Sequence, residues 1–452
     1  MLTAIVVVFI LGYMAIALEH PLKTDKTASA LLLGMLLWTM YAVGVLSGDI
    51  FPDRNMDLLN GSIIEHMGDI SEILFFLIGA MTVVELVDVH GGFSVITDKI
   101  TTRKKRRLLW LLCFVTFFMS SVLDNLTTSI VMVMLLRKLI SSQKERWIFG
   151  SMIVIAANSG GAWSPIGDIT TIMLWVRGNV TTEGIMTRVF LPSIASMVVP
   201  LLLISYKLKG EEEQKNRDGE AEKACVKKGD RTRLLVFGVL ALVLVPVFKA
   251  FTHLPPFIGV LFFLSLLWIY MDYFYNRKKS VDGSEHRLPS ILRRIDMPTI
   301  LFFLGILMAV AVLQETGILG SVAKYLDEHV HNVYVINLVL GFLSSVVDNV
   351  PLVAAAMGMY PLVDPATLAS LPAAEAAYAV NFVQDGVFWE FLSYCAGVGG
   401  SMLIIGSAAG VVVMGLEKIN FIWYFKNVSL LALLGYLAGA AVYVAEVALF
   451  MH

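Results

Sequence analysis

Charge is what this chain has least of. Of its 452 residues, 15% are Asp, Glu, Lys or Arg and 57% are hydrophobic, whereas soluble domains run to about 25% charged. The formal net charge is −2, which offers no basic surface for nucleic acid, and no such partner is expected. Cysteine is scarce too. Cys113, Cys225 and Cys395 stand far apart, which excludes a disulfide framework and a cysteine metal site. The opening segment MLTAIVVVFILGYMAIALEH lacks the basic start of a signal peptide, despite small residues at Ala15 and Ala17, and is expected to remain as a first helix. With a mean hydropathy of +0.77, the class left is an all-α polytopic membrane protein.

A spanning helix needs about 20 mostly apolar residues. Full-length stretches lie near 2–18, 28–46, 72–90, 148–177, 186–206, 234–252, 257–275, 298–316, 385–416 and 425–448. Two more, 108–136 and 333–363, each carry an Asp-Asn pair. Lys and Arg gather on the cytoplasmic side, and the runs TDKITTRKKRR (97–107) and RKLISSQKER (137–146) flank the first of these stretches. Both its ends therefore want the same face, and it is too short for two spans. A hairpin fits: legs of ~14 residues rise ~20 Å and pass the centre of a ~30 Å core, with Asp124 near the tip. If 333–363 is also re-entrant, the loops 19–27, 95–107, 137–147, 207–233, 276–297 and 417–426 fall inside. Only Arg54, Arg177, Arg188, Lys249 and Lys324 then lie elsewhere, and both termini come out on the non-cytoplasmic face.

Three blocks recur in order. ILFFLIGAM (73–81) answers ILFFLGILM (300–308), SSVLDN (120–125) answers SSVVDN (344–349), and GGAWSPIGD (160–168) answers GGSMLIIGS (399–407). The two copies enter from opposite faces in this topology, so the expected fold is an inverted-topology repeat with two re-entrant hairpins and two broken transmembrane helices. Such repeats mark secondary transporters, with the site between them at the midplane. The expected organisation has N-terminal scaffold helices (1–70) and a first repeat (71–206) of helix, cytoplasmic-side hairpin 108–136, broken helix 148–177 and helix. A cytoplasmic linker (207–233) follows, then scaffold helices with a cytoplasmic loop (234–296). The second repeat (297–452) has helix, outer-side hairpin 333–363, broken helix 385–416 and helix.

Polar residues inside these segments are costly and therefore informative. In AANSGGAWSPIGDITT (156–171), Gly160, Gly161, Pro165 and Gly167 break the helix. Irregular backbone at that depth must be protein-buried or line a cavity. Its counterpart AGVGGSMLIIGSAAG (396–410) is glycine-rich too. Two tips and two breaks can converge on an all-oxygen donor set, which suits a hard cation rather than a transition metal. The expected cation and proton ligands are Asp124, Asn125, Asn158, Asp168, Thr170, Thr171, Asp348 and Asn349, with sodium on Asp124, Asn125 and Asp168. Ser120, Thr127, Thr128, Ser159, Gly160, Gly161, Ser344, Gly399, Gly400, Ser401 and Ser407 support them. No Lys or Arg lies in these segments, and three carboxylates together would repel an organic anion. The threonines also serve as helix caps. Glu72, Glu85, Asp88 and Glu315 lie near helix ends as interfacial groups, and His90 and His329 are pH-sensing candidates.

SSVLDNLTTSIV, NSGGAWSPIGDITTIMLW, SSVVDNVPLVAA and GGSMLIIGSAAGVVVMG together resemble the NhaD-type sodium/proton antiporters. These belong to the ion transporter superfamily, which also holds divalent-anion/sodium symporters and arsenite carriers. The dicarboxylate branch typically has Ser-Asn-Thr at its hairpin tips. Here Asp124 and Asp348 stand in the first of those positions, which favours a cation. The resemblance implies export of Na⁺ or Li⁺ in exchange for H⁺, no cofactor, a bacterial inner (plasma) membrane, a homodimer and elevator-type motion. Ser407 faces Asp168 in the repeat alignment, and Pro351-Leu352 faces Thr127-Thr128, so the first half is expected to hold the better cation site. Burial raises a carboxylate's proton affinity and a bound cation lowers it, so sodium and protons compete for the same acids.

The competing function is a sodium- or proton-coupled carrier of dicarboxylate, citrate or arsenite. An intramembrane aspartyl protease is excluded as an enzyme alternative, because proline occupies position 165 of PIGD (165–168), where its Gly-x-Gly-Asp motif needs glycine. Inverted repeats with broken helices favour a carrier over a channel.

Overall fold

The structure is a computed structural model and describes residues 1–17, 23–50, 56–92, 95, 102, 104–208, 210, 228–277, 288–346 and 348–450. Arg54, Cys225 and most of the 207–233 linker lie outside them. The helices that matter are α1 (Leu2–Ala17), α2 (Lys26–Leu46), α3 (Met56–Val89), α4 (Lys105–Leu123), α5 (Asn125–Leu139), α6 (Gln143–Ala162), α7 (Ile169–Val176), α8 (Phe190–Lys207), α9 (Lys228–Thr252) and α10 (Pro256–Arg277). They continue as α11 (Met297–Glu315), α12 (Ile318–His329), α13 (Val333–Leu343), α14 (Asn349–Met359), α15 (Val387–Gly399), α16 (Ala408–Glu417) and α17 (Leu430–Phe450). Among the described residues, eight helices are long and apolar enough to cross a membrane. The chain is an all-helical polytopic membrane protein.

Small residues let the longest helices approach closely, as in membrane interiors where packing replaces the hydrophobic drive. On α2, a Cβ at Gly34 would strike the carbonyl of Gly305 on α11. Four residues along, Trp38 Nε1 donates to Met308 O at 3.0 Å. On α17, Gly435 and Gly439 face the backbone of Ser196 and Pro192 on α8. Sequence alone begins α3 near residue 72, whereas the helix starts at Met56. Its first turns, residues 56–66, are largely exposed, and only Leu59 and His66 there turn inward and are buried.

The two Asp-Asn stretches are helix–turn–helix pairs. In α4–α5 the turn is a single residue, Asp124, at φ 80° and ψ 158°, a conformation that side chains other than glycine seldom adopt. Both far ends return to the start of α6. Lys105 Nζ meets Glu145 Oε1 at 2.6 Å, and Arg137 shares Glu417 with Arg146 of α6. The α13–α14 pair behaves likewise at the start of α15, where Tyr334 packs on Phe391 and Tyr360 on Phe388.

Both broken helices are present, with breaks later than the glycines indicate. Gly160 and Gly161 remain helical in α6, and the chain leaves the helix at 163–168, where Pro165 removes a donor and disfavours helix at Ser164. Gly399 likewise ends α15, and the second break covers 400–407. These glycines serve contact rather than breakage. A Cβ on Gly160 would overlap the backbone of Phe117, and one on Gly399 that of Gly341.

A buried carboxylate fastens one end of this assembly. The Glu417 side chain is 1% exposed, at the end of α16, and accepts from Arg137 Nε at 2.7 Å and Arg146 Nε at 2.8 Å. Arg137 also donates to Leu416 O. Removing one partner of a buried ion pair costs roughly 3–5 kcal/mol, and the half-exposed Arg137 puts this case at the lower end. Glu417→Ala is therefore expected to lower the melting temperature of the detergent-purified protein by several degrees. An unchanged melting temperature would show that the clamp contributes nothing to stability.

Candidate cation site

Asp168 closes the first break. It is the N-cap of α7, with φ −147° and ψ 152°, and its Oδ1 accepts from Thr170 N at 3.0 Å. Thr171 completes a capping box: its hydroxyl donates to Asp168 O at 2.8 Å and accepts from Asp168 N at 3.2 Å. This geometry fixes the carboxylate direction before any tertiary partner is counted.

Four elements then meet on that carboxylate and its neighbour. Asn125, the first residue of α5, donates through Nδ2 to Asp168 Oδ2 at 2.8 Å and to Asn158 Oδ1 at 3.1 Å. Asn349, the first residue of α14, donates to the same carboxylate at 3.2 Å and 3.4 Å. Asn158 on α6 reaches across to the second break, donating to Ser401 Oγ and Ser407 Oγ, each at 2.9 Å. All six side chains are at most 5% exposed. Among the described residues no Lys or Arg forms an ion pair with Asp168. The Thr128, Ser129 and Thr170 hydroxyls are buried without a hydrogen-bond partner. The set is oxygen-rich, with one carboxylate and no resident base.

The backbone around the network repeats. Ser120 Oγ donates to Ala157 O at 2.6 Å, and Ser344 Oγ to Ala396 O at 2.8 Å. Gly161 abuts Gly167 as Gly400 abuts Gly406. Ser407 caps α16 as Asp168 caps α7. Ser393 Oγ donates to Ala162 O at 2.9 Å, tying the second broken helix to the first. Ser196 on α8 bonds Ser159 at 2.8 Å.

The hydrogen bonds of the two hairpin aspartates go to their own helices rather than into this junction. Asp124 turns back on its own helix and accepts from Thr127 N at 2.7 Å and Thr127 Oγ1 at 2.9 Å. Asp124 also lines an apolar pocket with Leu77, Met81, Ile300 and Phe303. Asp348 caps α14, accepting from Val350 N at 3.5 Å, and lines a different cavity with Tyr13, Lys26 and Ser407. The asparagine of each pair, rather than the aspartate, enters the network. Glu315, read from sequence as interfacial, is bonded by His66 at 3.1 Å and Ser62 at 3.1 Å. His90 is buried with Nδ1 on Leu86 O at 2.6 Å, and His329 stacks on Tyr325. Sequence reasoning did not find Ser196, Glu417 or Glu390. Glu390 is fully buried between Arg188 and Tyr443, with contacts of 3.2 Å and 3.1 Å. A lone acid near a helix end gives no sign of partners so distant in sequence.

Broken helices crossing at a buried carboxylate, with no ion-pair partner among the described residues, are the architecture of a secondary membrane carrier. The comparisons agree. The citrate-transporter family (CitMHS) matches residues 7–383. Sodium/proton antiporter 1 of Arabidopsis thaliana is 46% identical over 444 residues, covering 98% of this chain and 72% of that protein. Sodium/proton antiporter 2 of the same plant is 43% identical, covering 97% and 98%. The Na⁺/H⁺ antiporter NhaD of Vibrio cholerae is 30% identical, covering 96% and 89%. The chain belongs to this transporter family, among the NhaD-type sodium/proton antiporters, and it is a carrier rather than an enzyme.

Proposed function

We propose that the protein exchanges Na⁺ or Li⁺ for H⁺ across a membrane, and that the ions compete for Asp168. The carrying observation is a buried carboxylate that receives the Asn125 and Asn349 amides from both helix turns and, among the described residues, no ion pair from Lys or Arg. The amide oxygens of Asn125, Asn158 and Asn349 and the unpartnered Thr170 hydroxyl complete a hard-cation donor set once the amides rotate. Protonated, Asp168 needs no cation; ionised, it holds one. Asp124 and Asp348 then act beside the central site rather than within it.

The matching contacts of the two halves support an inverted repeat. The return of each helix pair to one end supports re-entrant hairpins, with 105–139 opening to the face that holds the basic loops. In this topology both termini lie on the opposite face. The bacterial NhaD relatives favour the bacterial inner (plasma) membrane, and the homodimer is carried over from the family resemblance.

A second reading, carriage of citrate or another dicarboxylate, is favoured by the family description. In reconstituted vesicles carrying a pH dye, Na⁺ and Li⁺ pulses are expected to drive proton movement, with no uptake of labelled citrate or succinate. Citrate uptake without sodium-driven proton movement would reverse the choice.

A further inference from the structure

A cavity of ≈ 100 Å³ lies beside the network, walled by Tyr13, Lys26, Phe302, Asp348, Ser407 and Met414 among others. One wall touches the site, because Ser407 Oγ accepts from Asn158 at 2.9 Å. The other wall comes from α1, α2 and α11, outside the hairpins and broken helices. Lys26 is the first residue of α2 and is partly buried. A cation at a helix N-terminus opposes the helix dipole, so its position calls for another explanation. Its Nζ sits 5.0 Å from the Phe302 ring centroid, and no carboxylate forms an ion pair with it among the described residues. The adjacent Asp25 carboxylate is turned to cap α2 through Thr27 N at 2.7 Å.

A flexible ammonium and a carboxylate thus share one small cavity that abuts the cation network, and they are not joined. We propose that this cavity is an access route to the site from the Lys26 end, and that Lys26 is its tethered cation, competing with the transported ion for Asp348. Resting on the aromatic face of Phe302, Lys26 leaves Asp348 free for an arriving cation. Swung inward, it supplies the countercharge that an empty carboxylate lacks. The inference rests on the proposed cation exchange.

The test uses the purified full-length protein. Na⁺ affinity is read as the midpoint of the sodium-dependent rise in melting temperature, which does not require turnover, and wild-type exchange is measured in parallel. Lys26→Gln and Lys26→Met are both made, so that misfolding of one leaves the other. Removing a nearby charge is expected to tighten the Na⁺ midpoint roughly fivefold, with Lys26→Arg restoring the wild-type value. On an Asp348→Asn background, Lys26→Gln is expected to shift nothing further. If wild-type exchange is intact but both neutral variants keep the wild-type midpoint, or the shift persists without Asp348, the tethered-cation role is overturned and the exchange stands. If the wild-type protein neither binds nor exchanges Na⁺, the exchange falls and the role of Lys26 with it.

Discussion

Asp168→Asn is expected to abolish sodium-driven proton movement while leaving the protein folded. Asparagine is as good an N-cap as aspartate, so α7 keeps its start and Thr171 its capping box. The side chain is nearly the same size, and one amide rotation can restore a bond with Asn125 or Asn349. What disappears is the charge. A hydrogen-bonded or ion contact to a charged group is worth about 1.5–3 kcal/mol, and 1.4 kcal/mol is a factor of ten. Cation affinity is therefore expected to fall by about 10- to 100-fold, and the exchanged proton loses its carrier. The check is Na⁺-driven flux in everted vesicles, with a size-exclusion profile confirming the fold. Near-wild-type flux would remove Asp168 from the exchange. Asp168→Ala is harsher on the structure, because it also leaves the buried Asn349 amide without its acceptor, at about 1–3 kcal/mol, and Asn125 with Asn158 as its remaining acceptor.

The second large effect is structural. Gly160→Ala and Gly399→Ala are each expected to prevent accumulation of folded protein. A Cβ on Gly160 would lie inside the backbone of Phe117, its carbonyl oxygen and Cα included, and a Cβ on Gly399 inside that of Gly341. Backbone cannot step aside as a side-chain tip does, and packed interiors transmit the strain. On each side the movement would drag the serine that sets the turn, since Ser120 and Ser344 bond the broken helix one turn away. Gly415, whose Cβ would meet nothing within 4 Å, is the control, and its alanine variant is expected to express normally. Comparable expression of all three would mean that α4 and α6 tolerate separation, which their shared hydrogen bonds argue against.

Much of the candidate site was legible in the sequence, for a reason specific to membranes. An Asp-Asn pair in an apolar run is expensive, so its repetition at 124–125 and 348–349 signals purpose without any contact being known. The breaks were legible through Pro165 and the glycine clusters, although Gly160 and Gly161 turned out to be contact residues inside a continuous helix. The choice between the two members of each pair was hidden. At the first pair it is made by backbone geometry: the positive φ of Asp124 aims its carboxylate at Thr127 and sends Asn125 inward. A pattern of residue types does not carry a dihedral angle. The clamps on Glu417 and Glu390 were hidden differently, because their arginines lie hundreds of positions away and look like ordinary loop charges. Lys26, counted among the cytoplasmic basic residues, became informative only when its cavity placed it with Asp348.

Proton release on sodium binding tests the shared carboxylate most directly. The purified protein, in weakly buffered detergent solution with a pH dye, is titrated with NaCl against a choline chloride control. If Na⁺ and H⁺ compete for Asp168, sodium releases protons from the wild-type protein near the pH where the site is half-protonated, and Asp168→Asn releases none. Sodium binding without proton release in the wild type, or equal release from Asp168→Asn, would contradict competition at this residue.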